Sequence, residues 1–289
     1  MNAAFDSFVA PARPRSALWR LLAGLALIAA LLLGSALLLS LAARRLTPLS
    51  SAAGAATLNT QAGALFGLAT FILWWVALAA ALRLLHRRGL GSVLGPRRAG
   101  RRRRFLLGVG AAGVFSGLGL LLGAAVFAAP GPSGLTPGAW AWSAAAAAPL
   151  ILIQTGAEEA LFRGYVMQQL AARFRSPLIW GAAPSLVFGL LHWSPAEGAA
   201  LVAATTACLG GVLAAVTVRT GDLFAAWGLH FGVNIGAILL VSPADYFAGL
   251  ALFHWPDGAD LARLAWIDLG LVIALALIVL GLTRSRRAE

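Results

Sequence analysis

The sequence has no lysine, a single cysteine and little charge of either sign. Asp, Glu, Lys and Arg make up 11% of its 289 residues, where a soluble domain carries about a quarter. The lone Cys208 excludes an intrachain disulfide and any cysteine-built metal site. It lies in an apolar run beside Gly210 and Gly211 and reads as a small packing residue. The His-Glu-x-x-His of a zincin is missing, and so is the Gly-x-Ser-x-Gly of a serine nucleophile elbow. A cleavable signal peptide is not indicated either. The first apolar run, which begins near Ala17 after Arg13 and Arg15, is too long for one and reads as a retained span.

Apolar sequence is what the chain has in excess, at 60% of its residues. A helix needs about 20 mostly apolar residues to cross the hydrocarbon core of a bilayer. Such runs recur at 17–42, 62–85, 105–129, 141–171, 178–194, 198–218, 223–242 and 264–283. They predict an all-α fold, a polytopic membrane helix bundle of about eight transmembrane helices. All 22 basic residues are arginine, and the formal net charge is +12. Arginine throughout, with abundant Ala, Gly and Leu, suggests a bacterial chain. Such a charge can mark a nucleic-acid binder. Here the arginines cluster beside apolar runs, as topology signals and contacts to anionic lipid headgroups do, so no nucleic-acid partner is expected.

Sidedness follows from the same residues. A cytoplasmic N-terminus puts Arg13, Arg15, Arg20, the arginines from Arg87 to Arg104, Arg173, Arg175, Arg219, Arg284, Arg286 and Arg287 inside. Arg44, Arg45 and Arg263 fall outside, with Asp245, Asp257 and Asp260. The expectation is a multi-pass protein of the cell membrane with both termini cytoplasmic. Residues 1–16 form a tail, 17–142 the N-terminal helices with a basic loop at 86–104, 143–240 a polar-bearing core, and 241–289 an outer loop, last helix and basic tail. Trp140, Trp142, Trp180, Trp193 and Trp255 near span ends read as interfacial anchors.

Ionisable groups at bilayer depth are costly, and each asks for a partner or a task. The segment 143–174 would extend roughly 48 Å as a helix, longer than the membrane is thick, which places Glu158 and Glu159 in its inner half. Glu159 and Arg163 are spaced i,i+4, acid before base, and can pair on one face. Glu158 lies about 100° around the helix and is left free; desolvation would suit it to act as a general base. Phe188 and His192 are again i,i+4 neighbours, as are His230 and Asn234. The last two offer paired hydrogen-bond donors of the kind an oxyanion needs, although either alone would serve helix packing.

Together, Glu158-Glu159-x-x-x-Arg163, Phe188-x-x-x-His192 and His230-x-x-x-Asn234 resemble the CPBP (Abi) family of intramembrane glutamic proteases, which includes the type II CAAX prenyl endopeptidases and bacteriocin-processing or self-immunity proteins. The resemblance covers the core at 143–240. It implies an endopeptidase with no cofactor that acts on a membrane-associated peptide or protein. It also implies that Glu158 activates water, His192 positions that water, Glu159 and Arg163 order the site, and His230 and Asn234 stabilise the oxyanion. Phe188 is assigned to substrate binding. Three alternatives stand beside it: a non-enzymatic scaffold or immunity protein on the same fold, a zinc variant using Glu158, His192 and His230, and a proton-coupled transporter. The last lacks any visible inverted repeat.

Overall fold

A computed structural model describes residues 2–46, 59–127, 129–193, 199–242, 248–256 and 261–284. Helices fill each expected apolar segment. In chain order they are α1 (Ala3–Val9), α2 (Leu18–Leu46), α3 (Gln61–Ala69), α4 (Phe71–His86), α5 (Arg101–Val126) and α6 (Pro137–Glu159). The last continues through a π-helical stretch, Ala160–Met167, into α7 (Gln168–Ala171). A second wide stretch, Leu178–Ala182, leads into α8 (Ala183–Leu190). Then come α9 (Ala199–Thr220), α10 (Phe224–Ile235) with a π-helical end at Gly236–Leu240, and α11 (Leu261–Arg284). Among the described residues, four stretches are long and apolar enough to cross a membrane: Leu18–Leu41, Gln61–His86, Arg101–Val126 and Ala199–Thr220. Leu178–Leu190 and Phe224–Leu240 are apolar but shorter.

Local chemistry explains the long sixth helix. Thr136 caps it by accepting a hydrogen bond from the Ala139 amide at 3.2 Å, and Pro137 sits at its first turn, where no amide proton is needed. Two indoles then fix it from neighbouring helices. Trp75 donates to the Ile153 carbonyl at 3.0 Å and Trp227 to the Leu152 carbonyl at 3.1 Å. Gly156 makes room for the second indole, since a Cβ there would lie 2.5 Å from the Trp227 ring.

The arginine-rich helix ends gather at one end of the bundle. Arg104 grips Asp222, buried at the entry to α10, with nitrogen–oxygen distances of 2.6 and 3.3 Å. Arg20 donates to the Leu85 carbonyl, and Arg88 to Gln168. Of residues 1–16, expected as a tail, the described part from Asn2 onward is folded into this end. Asn2 caps α1, and Phe5, Phe8 and Val9 are buried in a core shared with Leu82, Met167, Trp180 and Leu223. Trp180 is therefore a core residue and no interfacial anchor, its ring 5.0 Å from that of Phe5. His86, expected in the basic loop, is instead the buried last residue of α4, with its ring nitrogen 2.9 Å from the Tyr165 hydroxyl. The other end carries three short strands not expected from the sequence: β1 (Gly131–Pro132), β2 (Val241–Ser242) and β3 (Phe253–His254). Central β3 pairs antiparallel with β1 and parallel with β2. Of Arg44, Arg45 and Arg284 only the backbone is described, while Asp245, Asp257, Asp260, Arg286 and Arg287 lie outside the described residues.

Helices α5 and α10 pack backbone to backbone. A Cβ on Gly228 would lie 2.0 Å from the Phe105 carbonyl oxygen, and one on Gly108 would lie 2.2 Å from that of Ala225. Gly232 meets Ala112 one turn on. Close approach through small residues is the usual means of holding helices together in lipid, and it sets the height and rotation of His230 on α10. Gly228→Val should destabilise the protein by about 1–3 kcal/mol, read as a lower thermal unfolding midpoint in detergent. Leu121→Val, on the exposed face of α5, is the control and should change it little.

Candidate functional site

The site forms where α6 ends and its helix widens. Such π-helical stretches are frequent at functional sites, and this one starts directly after Glu159. Glu158, Glu159, Arg163 and His230 retain only 6%, 0%, 2% and 3% of their surface, so each charge must be answered from within the bundle.

Glu159 receives the most. Its Oε1 accepts from Arg163 Nη1 at 2.9 Å and from His230 Nδ1 at 2.9 Å. Arg163 also donates to the Gly210 carbonyl at 3.1 Å and lies over the Phe188 ring at 4.6 Å. Gly210 is pinned by this arrangement, because a Cβ there would sit 3.1 Å from both the guanidinium and Ser185 Cβ. The other imidazole nitrogen, His230 Nε2, is 3.4 Å from Glu158 Oε2, close but not aligned for a full hydrogen bond. Oε2 of each glutamate is buried without a hydrogen-bond partner among the described residues.

Phe188 is the hub of the remaining contacts. Its ring centroid is 4.7 Å from His192 and 5.8 Å, edge-on, from His230. His192 Nδ1 donates to the Phe188 carbonyl at 2.8 Å, which leaves Nε2 as an acceptor in the neutral ring. Asn234 Nδ2 donates to Gln154 Oε1 at 2.9 Å. Phe188, His192, His230 and Asn234 line a cavity of about 160 Å³, with Thr205 and Thr206 of α9 also on its wall. That is well above the roughly 10–15 Å³ that one water needs on this measure.

Of the seven residues singled out in the sequence, four line this cavity and Glu158, Glu159 and Arg163 join them through His230 and Phe188, but the pairing differs from expectation in two respects. The Glu159–Arg163 ion pair is present, yet Glu159 is not set apart from the histidines, because His230 touches both glutamates. Nor are His230 and Asn234 two free donors. His230 is held between carboxylates, and one amide proton of Asn234 is taken by Gln154. Gln154 was missed by the sequence reading. The available signal was a glutamine one turn before Glu158 in an apolar helix. The ligand triad of Glu158, His192 and His230 is not assembled, and among the described residues no three His, Cys, Asp or Glu side chains group closely enough to hold a metal ion.

Fold and site together define a helical membrane protein with several spans and a buried acid–arginine–histidine cluster beside a cavity. Residues 140–236 match the family model described as type II CAAX prenyl endopeptidase Rce1-like. All three motifs lie within this matched segment, which spans about a third of the chain. The chain is also similar to an uncharacterized protein of Bacillus subtilis (strain 168), YyaK, with 30% identity over 111 residues. That alignment spans 37% of this chain and 37% of the length of YyaK. No solved structure matches.

Removing the guanidinium tests how the cluster is held. Arg163→Met strands Glu159 as a buried charge and should cost about 3–5 kcal/mol. Adding Glu159→Gln should return part of this, because the pair then leaves together. Thermal unfolding of the two single variants and the double variant measures the coupling, and strictly additive losses would contradict it.

Proposed function

We propose that this protein is an intramembrane endopeptidase that hydrolyses a peptide bond of a membrane-associated peptide or protein, with water activated by Glu158. The observation that supports this most is the seat of His230 between two buried carboxylates beside a cavity. Glu159, neutralised by Arg163, accepts from Nδ1–H and holds the ring in place. Nε2 then lies 3.4 Å from Glu158 Oε2, within reach of that carboxylate. Among the described residues one Glu158 oxygen has no hydrogen-bond partner, and it is the atom that takes a proton from water.

In this reading the hydroxide formed attacks the substrate carbonyl, and the proton gained by Glu158 passes to the leaving amine. His192 orients the water through Nε2, its Nδ1 being committed to the Phe188 carbonyl. The oxyanion meets the second amide proton of Asn234, whose group is held by Gln154, and Nε2–H of His230 when that ring is protonated. Phe188 supports Arg163 from one side and presents its ring to the cavity on the other. Both termini lie on the cytoplasmic side, by the arginine distribution. No step requires a metal.

General-base catalysis contributes about 10²–10⁴ in rate. Glu158→Gln keeps the shape of the side chain, and the purified variant should cleave at least about 100-fold more slowly in a membrane peptide assay. Chelators should leave the wild-type rate unchanged. Wild-type cleavage by Glu158→Gln, or loss of activity on chelation that zinc restores, would overturn the assignment. Gln154→Leu should lower kcat more than it raises KM, because Asn234 would act on the transition state rather than on ground-state binding.

A further inference from the structure

One carboxylate remains outside this account. Asp268 lies on α11, in a run that is otherwise apolar from Ala265 to Leu280 apart from Gly270. It is open rather than packed away, and it lines two cavities at once. The first is the 160 Å³ space shared with His192, His230 and Asn234. The second is a larger one of about 540 Å³ between α5, α10 and α11, with walls of Leu120, Phe231, Ile235, Leu264 and glycine backbone. Phe115, Val233 and Asp268 belong to both, so Asp268 stands at the junction. Its Oδ1 overlies Gly119, where a Cβ would come within 3.4 Å. Among the described residues it makes no hydrogen bond and no ion pair.

An ionisable group at this depth is costly without a partner, and the larger cavity offers apolar contact with one anionic point at its inner edge. Charge complementarity then selects the occupant. We propose that Asp268 is a specificity-determining residue. It receives the basic side chain of an otherwise apolar substrate segment lodged in the 540 Å³ cavity, and so places the scissile bond in the smaller cavity beside His230. This deepens the endopeptidase reading and rests on it. Because the cavities adjoin, the basic residue and the scissile bond are close neighbours in the substrate. An ammonium or guanidinium on a carboxylate in an apolar site gives a charge-assisted contact that a methyl group cannot replace.

Two measurements on the full chain in detergent test the proposal and its premise separately. Apolar peptides of roughly 20 residues, identical except for lysine, norleucine or glutamate at one scanned position, are the probes. Binding to Glu158→Gln protein, by fluorescence anisotropy, should favour the best lysine peptide over its norleucine twin by on the order of tenfold. That ratio should fall toward one when Asp268→Asn is added, and Asp268→Lys should shift preference to the glutamate peptide. Cleavage by wild-type protein should show the same order in kcat/KM. A lysine preference that survives Asp268→Asn, or no preference at any scanned position, overturns the inference. Charge-selective binding that depends on Asp268, without cleavage of any peptide by wild type, upholds the binding site and overturns the hydrolase reading. Circular dichroism and unfolding midpoints of each variant exclude misfolding as the cause.

Discussion

Glu158 and Glu159 bring two adjacent carboxylates into a bundle with little else that is polar, and taking each charge out of water costs several kcal/mol after relaxation. The surrounding structure is organised to meet that cost. Arg163, one turn along the same helix, answers Glu159. His230 arrives from α10 and touches both acids. Phe188 covers the guanidinium, and the Gly210 carbonyl takes one of its remaining donors. Two carboxylates, one guanidinium and one imidazole thus answer one another inside the bundle.

Such a cluster needs helices at defined height and rotation, and lipid supplies no hydrophobic force to press helices together. Shape does this work. Glycines 108 and 228 let α5 and α10 touch through their backbones, Gly156 seats an indole that bonds to α6, and Gly210 admits the arginine. The arginine-rich end adds a second constraint, with Arg104 on Asp222 at the entry to α10 and the N-terminal helix packed into the same core. The geometry of the cluster is therefore held by an ion pair at the entry to α10 and by backbone packing along its first turns.

Two cavities adjoin beside the cluster. The small one sets imidazole, amide and hydroxyl groups among Phe115, Phe188, Leu209, Val233 and Val272, and the large one is lined mainly by aliphatic side chains, aromatic rings and glycine backbone. Asp268 at the junction adds a charge to what is otherwise selection by apolar shape.

Much of this was legible in the residues alone, and the boundary is physical. Apolar runs long enough for a bilayer mark the helices, because composition and length are local properties. The Glu159–Arg163 pair was readable for the same reason, since i,i+4 spacing fixes both side chains on one turn. The three motifs named the residues of the site. Their partners across helices were not legible. The seat of His230 between both glutamates, the capture of Asn234 by Gln154, the burial of Trp180 and His86, and the place of Asp268 at a junction of cavities all depend on which helices touch and at what rotation. Close packing at a few glycines sets that rotation, and no spacing along a single helix encodes it. The sequence by itself determined the helices and the chemistry that each one carries; the tertiary structure decided which of those groups touch, which are already spent on one another, and which face open space.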